Sequence, residues 1–254
     1  MKARLASLAV VIGVWWWLSL GASSLGLPGP VQVVDALGRL MSSGRLMSAL
    51  SVTLGSFAAG GTLAIVIGVP LGIFMGVRRS VGLAIDPVLT ALYVMPFSAV
   101  IPLFVLWFGI DEMVRLAFIF TFTVPQVAIV CYQGAKSTPT TLVEVAKTYL
   151  ATERQIFWKV ILPYEVPFIF TSLRLGVGLA IQAMVVAELL IQSVRGLGFL
   201  LQFASAAFDL ATVLGVILFI MLLGAGAVAV MQRIETSVAP WREGISADGG
   251  GSNV

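Results

Sequence analysis

The segment Thr138–Pro163 reads TPTTLVEVAKTYLATERQIFWKVILP and is the longest charged stretch in a chain that is otherwise almost entirely apolar. Thr138 is a residue type that caps helix N-termini, and Pro139 suits the first helical position because its missing N–H would be unpaired there. Thr152 and Gln155 have the T-x-x-Q spacing of a capping box, which predicts a second helix start. The proline that closes the segment is expected to end that helix. We therefore predict two short amphipathic helices with a bend between them; a plain solvated loop is the competing interpretation.

The composition is that of an integral membrane protein. Of 254 residues, 59% are hydrophobic and 11% charged, and the mean hydropathy is +1.05. The absence of His excludes imidazole metal sites and His-based catalytic triads. A phosphate-binding loop needs Gly-rich spacing that the nearest sequence, Gly134-Ala135-Lys136-Ser137, lacks, so the chain is not expected to hydrolyse ATP. No catalytic residue, resident metal or nucleic-acid surface is predicted.

Six apolar stretches predict an all-α protein with six transmembrane helices. The first follows Lys2 and Arg4 and extends to Leu20, with a signal peptide as the alternative. Residues 1–45 would hold this span and an interfacial helix over 31–47 on the outer, periplasmic side. Residues 46–238 would form the membrane core with the 138–163 loop, and residues 239–254 a disordered cytoplasmic tail. The remaining spans are expected at Leu46–Val77, Pro87–Ile110, Leu116–Ala135, Pro167–Gln192 and Leu210–Gln232.

Charge asymmetry orients these spans. With both termini inside, the outer side keeps Arg39, Arg45, Arg115 and Arg195, and all other Lys and Arg residues of the 15 fall on the cytoplasmic side. The opposite orientation would invert this ratio and violate the positive-inside rule. The loop Thr138–Pro163 is therefore predicted to face the cytoplasm.

Proline-broken helices and intramembrane polar groups are the candidates for a transport pathway or gate. Two prolines are expected to break the third span, and Glu188 is the one acid expected within a span, where an interfacial carboxylate is an equally good interpretation. Helix packing and amide bridging are the alternatives for the other candidates. The candidate residues are Met95, Pro96, Phe97, Pro102, Phe104, Gln126, Gln182, Met184 and Glu188.

Two faces of small residues predict close helix contacts. They cover Gly60–Gly76 and Gly176–Ala187, and each needs a partner helix. One chain can satisfy one face internally, so the inference to a second subunit depends on the family resemblance described below.

The 138–163 segment resembles the EAA loop of ABC-importer permeases, whose pattern is E-A-A, three residues, Gly, nine residues and I-x-L-P. The resemblance implies a coupling helix that docks on a cytoplasmic ATPase subunit. Leu150 stands at the Gly, where a left-handed Leu would cost about 1–2 kcal/mol, so the bend is expected to shift by a residue or two. Besides Thr138 and Pro139, the coupling residues are Glu144, Val145 and Ala146 at E-A-A, Leu150, and Val160, Leu162 and Pro163 at I-x-L-P.

Residues 27–232 are similar to the nitrate/sulfonate/taurine-type branch of these permeases, although Ser56 stands where the family commonly has Arg. The resemblance implies a bacterial or archaeal inner-membrane subunit that pairs with a second permease, the same chain or a paralogue. A substrate-binding protein would lie outside, and two ATPase subunits that bind ATP and Mg inside. The segments that carry it are LPGP (27–30), GVPLGIFMG (68–76), DPVLTALYVMP (86–96), IPLFVLWFGI (101–110), AELL (187–190) and GLG (196–198).

The expected pathway lining lacks Lys and Arg, with Arg174 the deepest cation at the inner end of its span. This favours a neutral or modestly polar small organic solute, and family likeness favours a sulfonate-like anion. Two other classes stay open. An ion- or proton-coupled secondary transporter would carry ionisable groups at mid-membrane, and a non-catalytic scaffold would need no broken third span.

Overall fold

The computed structural model describes residues 2–21, 26–191 and 196–238, which are almost entirely α-helical and include no β-strand. The predicted all-α class is confirmed. The helices are α1 (Lys2–Gly21), α2 (Pro30–Ser42), α3 (Arg45–Val77), α4 (Arg79–Val94), α5 (Phe97–Phe108), α6 (Glu112–Lys136), α7 (Thr140–Thr148), α8 (Glu153–Ile156), α9 (Leu162–Leu190), α10 (Leu197–Ala206) and α11 (Leu210–Val238), with a π-helical segment at Phe157–Ile161 between α8 and α9.

The contact between α3 and α6 forms the centre of the fold. It is close because the α3 face is made of glycine: a Cβ on Gly60 would lie 2.9 Å from Ile119 Cβ, and one on Gly68 would lie 3.0 Å from Val127 Cγ1. Further along, Gly76 lies against α6 near its C-terminal end. Residue numbers rise together along both helices, so α3 and α6 run parallel.

Parallel α3 and α6 require the chain to cross the bilayer between them. The connection is α4 and α5, a helix pair bent by 107° at a short break. The break falls at Met95 and Pro96, whose backbones are extended, which agrees with the predicted weak point at Pro96. Two expectations were wrong: Pro102 lies within α5 and does not break it, and the span begins at Arg79 rather than Pro87. One missing N–H within a helix is tolerated.

A continuous helix from Glu153 to Leu190 forms the next crossing. Pro163 was predicted to end the helix, and this was wrong. The π-helical turn at Phe157–Ile161 directly precedes Pro163 and widens the backbone where a proline ring would crowd the preceding turn. Gly176 contacts Val127 of α6, and Gly134 of α6 contacts Phe168 of α9, so α9 runs antiparallel to α6.

The last crossing is α11, which runs antiparallel to α9. Arg174 Nη1 lies 3.9 Å from Glu235 Oε2, and a Cβ on Gly224 would lie 3.9 Å from the Ile181 side chain. Just before α11, the carboxylate of Asp209 accepts hydrogen bonds from the Thr212 hydroxyl (2.6 Å) and backbone N–H (3.1 Å). These two bonds lower the pKa of Asp209 below its ordinary value.

Among the described residues, four helices are long and apolar enough to span a membrane, and the bent α4–α5 pair brings the number to five if the pair is one broken span. The first predicted span is α1, whose apolar part covers Ala9–Leu20; Trp15 Nε1 donates to the Pro28 carbonyl at 3.1 Å. A sixth crossing by α1 stays a prediction. The expected disordered tail, residues 239–254, lies outside the described residues.

Both small-residue faces are packed within the chain. Gly176 contacts α6, and a Cβ on Gly61 of α3 would lie 3.6 Å from Ala180 Cβ. Ala183 and Ala187 are also buried. These faces therefore give no independent support for a second subunit, and pairing stays a prediction. The short helix α10 was not predicted, and the interfacial helix α2 ends at Ser42, before a left-handed turn at Gly44.

Candidate functional site

The Thr138–Pro163 loop forms the first predicted short helix, whose cap differs from the prediction, and a second helix start that continues without a break into α9. Helix α7 begins at Thr140, and Pro139 is its N-cap residue. The Thr138 hydroxyl oxygen is buried and makes no hydrogen bond, so Thr138 does not cap the helix as predicted. Proline fixes the entry angle through its ring, and no side-chain cap is present at this end.

The bend lies at Leu150 itself, with φ of 57°, so the expected displacement of the bend was wrong. The Ala151 N–H donates to the Ala146 carbonyl (3.1 Å), and the Leu150 N–H donates to the Lys147 carbonyl (2.8 Å). This pair of bonds is a Schellman motif, in which the residue after the C-cap is left-handed. The motif satisfies two carbonyls at the end of α7 and places Leu150 at the left-handed position where the family pattern has Gly.

The second helix start has the predicted capping box. The Gln155 N–H donates to Thr152 Oγ1 (3.3 Å), and the Thr152 N–H donates to Gln155 Oε1 (2.8 Å). Arg78, between α3 and α4, donates to Glu153 Oε2 at 3.3 Å. This exposed ion pair ties the loop to the cytoplasmic end of α3. Val160 and Leu162 are half-buried where the loop enters α9, and Pro163 is exposed.

The loop presents an exposed apolar surface. Tyr149 is 83% and Leu150 90% exposed, and Leu142 and Val145 on the same side of α7 are exposed as well. Glu144 lies beside them, also exposed, and Ala146 is half-buried. Clustered apolar side chains outside the membrane are typical of a protein-binding surface.

A buried polar cluster lies near the opposite, extracytoplasmic end. The Thr53 hydroxyl donates to Glu188 Oε1 at 2.8 Å, and the Gly198 N–H donates to Glu188 Oε2 at 2.9 Å. Arg115 Nη1 lies 3.9 Å from Glu188 Oε1, and both side chains are almost fully buried. The Leu197 N–H donates to Thr53 Oγ1 at 2.9 Å. The cluster joins α3, α6, α9 and the start of α10 through one carboxylate.

Two expectations about charge were wrong. Arg115 was assigned to the outer surface and Arg174 named the deepest cation, yet Arg115 is 3% exposed. Glu188 is not the one acid inside a span, since Glu165 is also fully buried. One signal could have identified Arg115: it aligns with Phe118 and Ile119 on the buried face of α6.

The predicted pathway residues fall into two groups. Phe104, Met184 and Glu188 are buried inside the chain. Pro96, Pro102 and Gln182 are exposed, and Met95 and Gln126 are half-buried. Phe97 begins α5 directly after the bend. The residues that this chain offers to a lumen or a partner are therefore those near the α4–α5 break and Gln182; the pathway role of the set stays a prediction.

Residues 68–240 match the family described as "Binding-protein-dependent transport system inner membrane component". The chain belongs to this family. Over 252 residues the permease is 32% identical to the taurine transport system permease protein of Escherichia coli (strain K12), covering 93% of this chain and 88% of that protein. It is 33% identical over 217 residues to the formylaminopyrimidine transport permease protein of Halalkalibacterium halodurans, covering 85% and 86%.

A solved inward-facing methionine ABC transporter has the same fold, with a TM-score of 0.67 at 19% identity, covering 76% of this chain and 96% of that chain. The permease is therefore a multi-pass inner-membrane subunit of an ABC importer, as its resemblance to the taurine-type branch implied.

Proposed function

We propose that this permease couples to a cytoplasmic ATPase subunit through the α7–α8 loop and forms half of a pathway for a small organic solute. The observation that carries the proposal is the exposed apolar surface of Leu142, Val145, Tyr149 and Leu150. Four apolar side chains in water on a short helical loop favour docking in a protein groove. A secondary transporter would need no such surface.

The rest of the assembly follows from the family and is part of the proposal. The ATPase subunits bind ATP and Mg and perform the hydrolysis, and this chain performs none. A second permease, the same chain or a paralogue, completes the pathway, and a substrate-binding protein delivers the solute from the outer side. The exposed side chains near the α4–α5 break and Gln182 supply candidate surfaces for the shared pathway.

A neutral or weakly polar solute suits the charges of this chain. The buried cation Arg115 is compensated by Glu188, so it offers no free positive charge to an anion at depth. The formylaminopyrimidine permease is a relative whose named substrate is a ring compound, and the taurine permease is a relative whose named substrate is a sulfonate. A small organic solute is the first candidate and a sulfonate-like anion the second.

Co-purification with the ATPase subunit of the same transporter tests the docking. Ala146→Arg places a long cation at the edge of the apolar surface and is expected to abolish ATPase association and solute-stimulated hydrolysis, with membrane insertion unchanged. Thr140→Arg, which adds the same cation on the exposed side of α7 opposite Leu142 and Val145, is the control and should retain both. Normal assembly of the Ala146→Arg variant would contradict the proposal.

Calorimetry on the partnering binding protein tests the substrate class. Tight binding of a formylaminopyrimidine or another uncharged ring compound is expected. Tight binding of taurine, an alkanesulfonate or nitrate with no binding of uncharged solutes would favour the second candidate.

A further inference from the structure

A large groove opens at the cytoplasmic end of the molecule and is used by none of the roles described above. It has a volume of about 890 Å³, within the range of roughly 300–1,000 Å³ typical of small-molecule sites. The cytoplasmic half of α3 forms one wall, and α7 with the helix start after Glu153 forms the other. The apolar walls include Val69, Ile73 and Phe74 on α3 and Phe157, Trp158 and Ile161 opposite.

Cations collect at one end of this groove. Arg78, Lys147 and Arg154 line it, and the one acid among its lining residues is Glu153. Glu153 is already bonded to Arg78, at 3.3 Å. In the described part of the chain, Lys147 and Arg154 form no ion pair within 4.0 Å, so their charges are available to an anion.

The separation of charge and hydrocarbon matches an amphiphile. Along α3, Arg78 and Val69 are nine residues apart, which is about 13 Å of helix, with Phe74 exposed between them. The groove therefore presents positive charge at the cytoplasmic edge and an apolar surface toward the bilayer interior. Trp158, a residue type that commonly anchors proteins in the headgroup region, is exposed and lines the same groove as the cations.

We propose that this groove binds an anionic phospholipid of the inner leaflet, with its phosphate near Lys147 and Arg154 and a hydrocarbon chain along Ile73 and Phe74. A free phosphate would leave the apolar walls in contact with water. Basic pockets on the cytoplasmic side of transmembrane helices select anionic headgroups. Because Lys147 lies on α7 and Phe74 on α3, the bound lipid bridges the loop and the membrane core.

The test uses the full-length permease in nanodiscs that contain phosphatidylcholine with a minor fraction of photoactivatable phosphatidylglycerol. Crosslinking followed by peptide mass spectrometry reports both the amount bound and its position. Lys147→Gln with Arg154→Gln is the test variant. Each cation near the surface contributes about 5-fold to anionic-lipid binding, so the pair should lower crosslinking at Phe74 and Trp158 by about 25-fold. Arg79→Gln with Lys159→Gln is the matched control, since it removes two exposed cytoplasmic cations outside the groove lining.

Two results together support the proposal. Phosphatidylglycerol crosslinks to Phe74 and Trp158 more than a photoactivatable phosphatidylcholine does, and this crosslinking falls in the test variant but not in the control. Equal crosslinking by the two lipids would overturn it, as would equal losses in both variants. Displacement by millimolar inorganic phosphate would identify a free-anion site instead. Protein–protein crosslinks from these positions to a second permease would identify a subunit interface and also overturn it. None of these readouts depends on transport, so the result is independent of the proposed ATPase docking.

Discussion

Leu150 and Phe208 are the described non-glycine residues with positive φ, at 57° and 56°. Each follows the C-cap of a short helix, and each is held by the same pair of backbone bonds. For Phe208, the Asp209 N–H donates to the Ala204 carbonyl (2.9 Å) and the Phe208 N–H donates to the Ser205 carbonyl (3.0 Å). The left-handed conformation costs about 1–2 kcal/mol for an L-residue, so both helix ends retain strain that a glycine would relieve.

Substitutions at Leu150 should therefore separate folding from docking. Leu150→Gly is expected to raise the thermal midpoint of the purified permease, corresponding to about 0.5–1 kcal/mol after the greater chain entropy of glycine is deducted. Leu150→Val should lower it, because a β-branched residue is worse at positive φ. Leu150→Gly should also weaken ATPase association, since the side chain is 90% exposed and belongs to the apolar surface. A higher thermal midpoint for the Leu150→Val variant than for the Leu150→Gly variant would contradict the assignment of backbone strain to Leu150.

The buried pair Arg115–Glu188 should show strong energetic coupling. Glu188→Gln leaves Arg115 buried without its counter-charge and should destabilise the permease by about 3–5 kcal/mol. Adding Arg115→Met should recover part of this loss, with an interaction energy of about 0.5–3 kcal/mol in a double-mutant cycle of unfolding. The exposed pair Arg78–Glu153 is the matched control and should couple by less than about 1 kcal/mol. Equal coupling in the two cycles would refute this account.

At the scale of the elements, the glycines of α3 differ according to the side they face: some permit close packing against α6, and others make no contact that requires glycine. A Cβ on Gly72 would meet the Ala128 carbonyl and Cys131 of α6, whose backbone cannot move aside cheaply. Gly55 has nothing within 4 Å of the Cβ position. The close approach of α3 to α6 therefore depends on Gly72 and not on Gly55.

Alanine substitutions at these two positions should have effects of opposite sign. Gly72→Ala forces the two helices apart and should destabilise by about 1–3 kcal/mol. Gly55→Ala gains helix propensity at no steric cost and should stabilise by up to about 1 kcal/mol. Thermal unfolding in one detergent measures both. Destabilisation by Gly55→Ala as large as that by Gly72→Ala would show that the contact face is assigned incorrectly.

Elements with a local signal were predictable and those that depend on tertiary contacts were not. The bounds of α3 were predicted to within a residue because a charge-free run ends at Arg78 and Arg79. The capping box at Thr152 was predicted because both partners are local. The continuation of the helix through Pro163 was not predicted because the π-helical turn before it leaves no local pattern of residue types or spacing in the sequence. Arg115 was misplaced because its partner, Glu188, lies far away along the chain.

At the scale of the whole molecule, the helix directions determine which segments lie at the same end of the bundle. Parallel α3 and α6, with α9 antiparallel to α6, bring Arg78, Lys136 and the α7–α8 loop to one end. The Thr53–Glu188 cluster lies at the other end. The proposed ATPase surface and the buried ion pair are thus at opposite ends of the same packed helices, and α9 connects the two ends.

This arrangement predicts which positions an impermeant thiol reagent reaches in sealed cells. The single cysteine, Cys131, is buried and would be replaced by alanine. Asp111→Cys, at the exposed N-cap of α6, should be labelled from outside. Glu153→Cys, at the exposed start of α8, should be labelled only after lysis, because the loop faces the cytoplasm. Each variant is the control for the other, since both side chains are accessible. Labelling of Glu153→Cys in intact cells would reverse the orientation of every crossing and remove the loop from the reach of an ATPase.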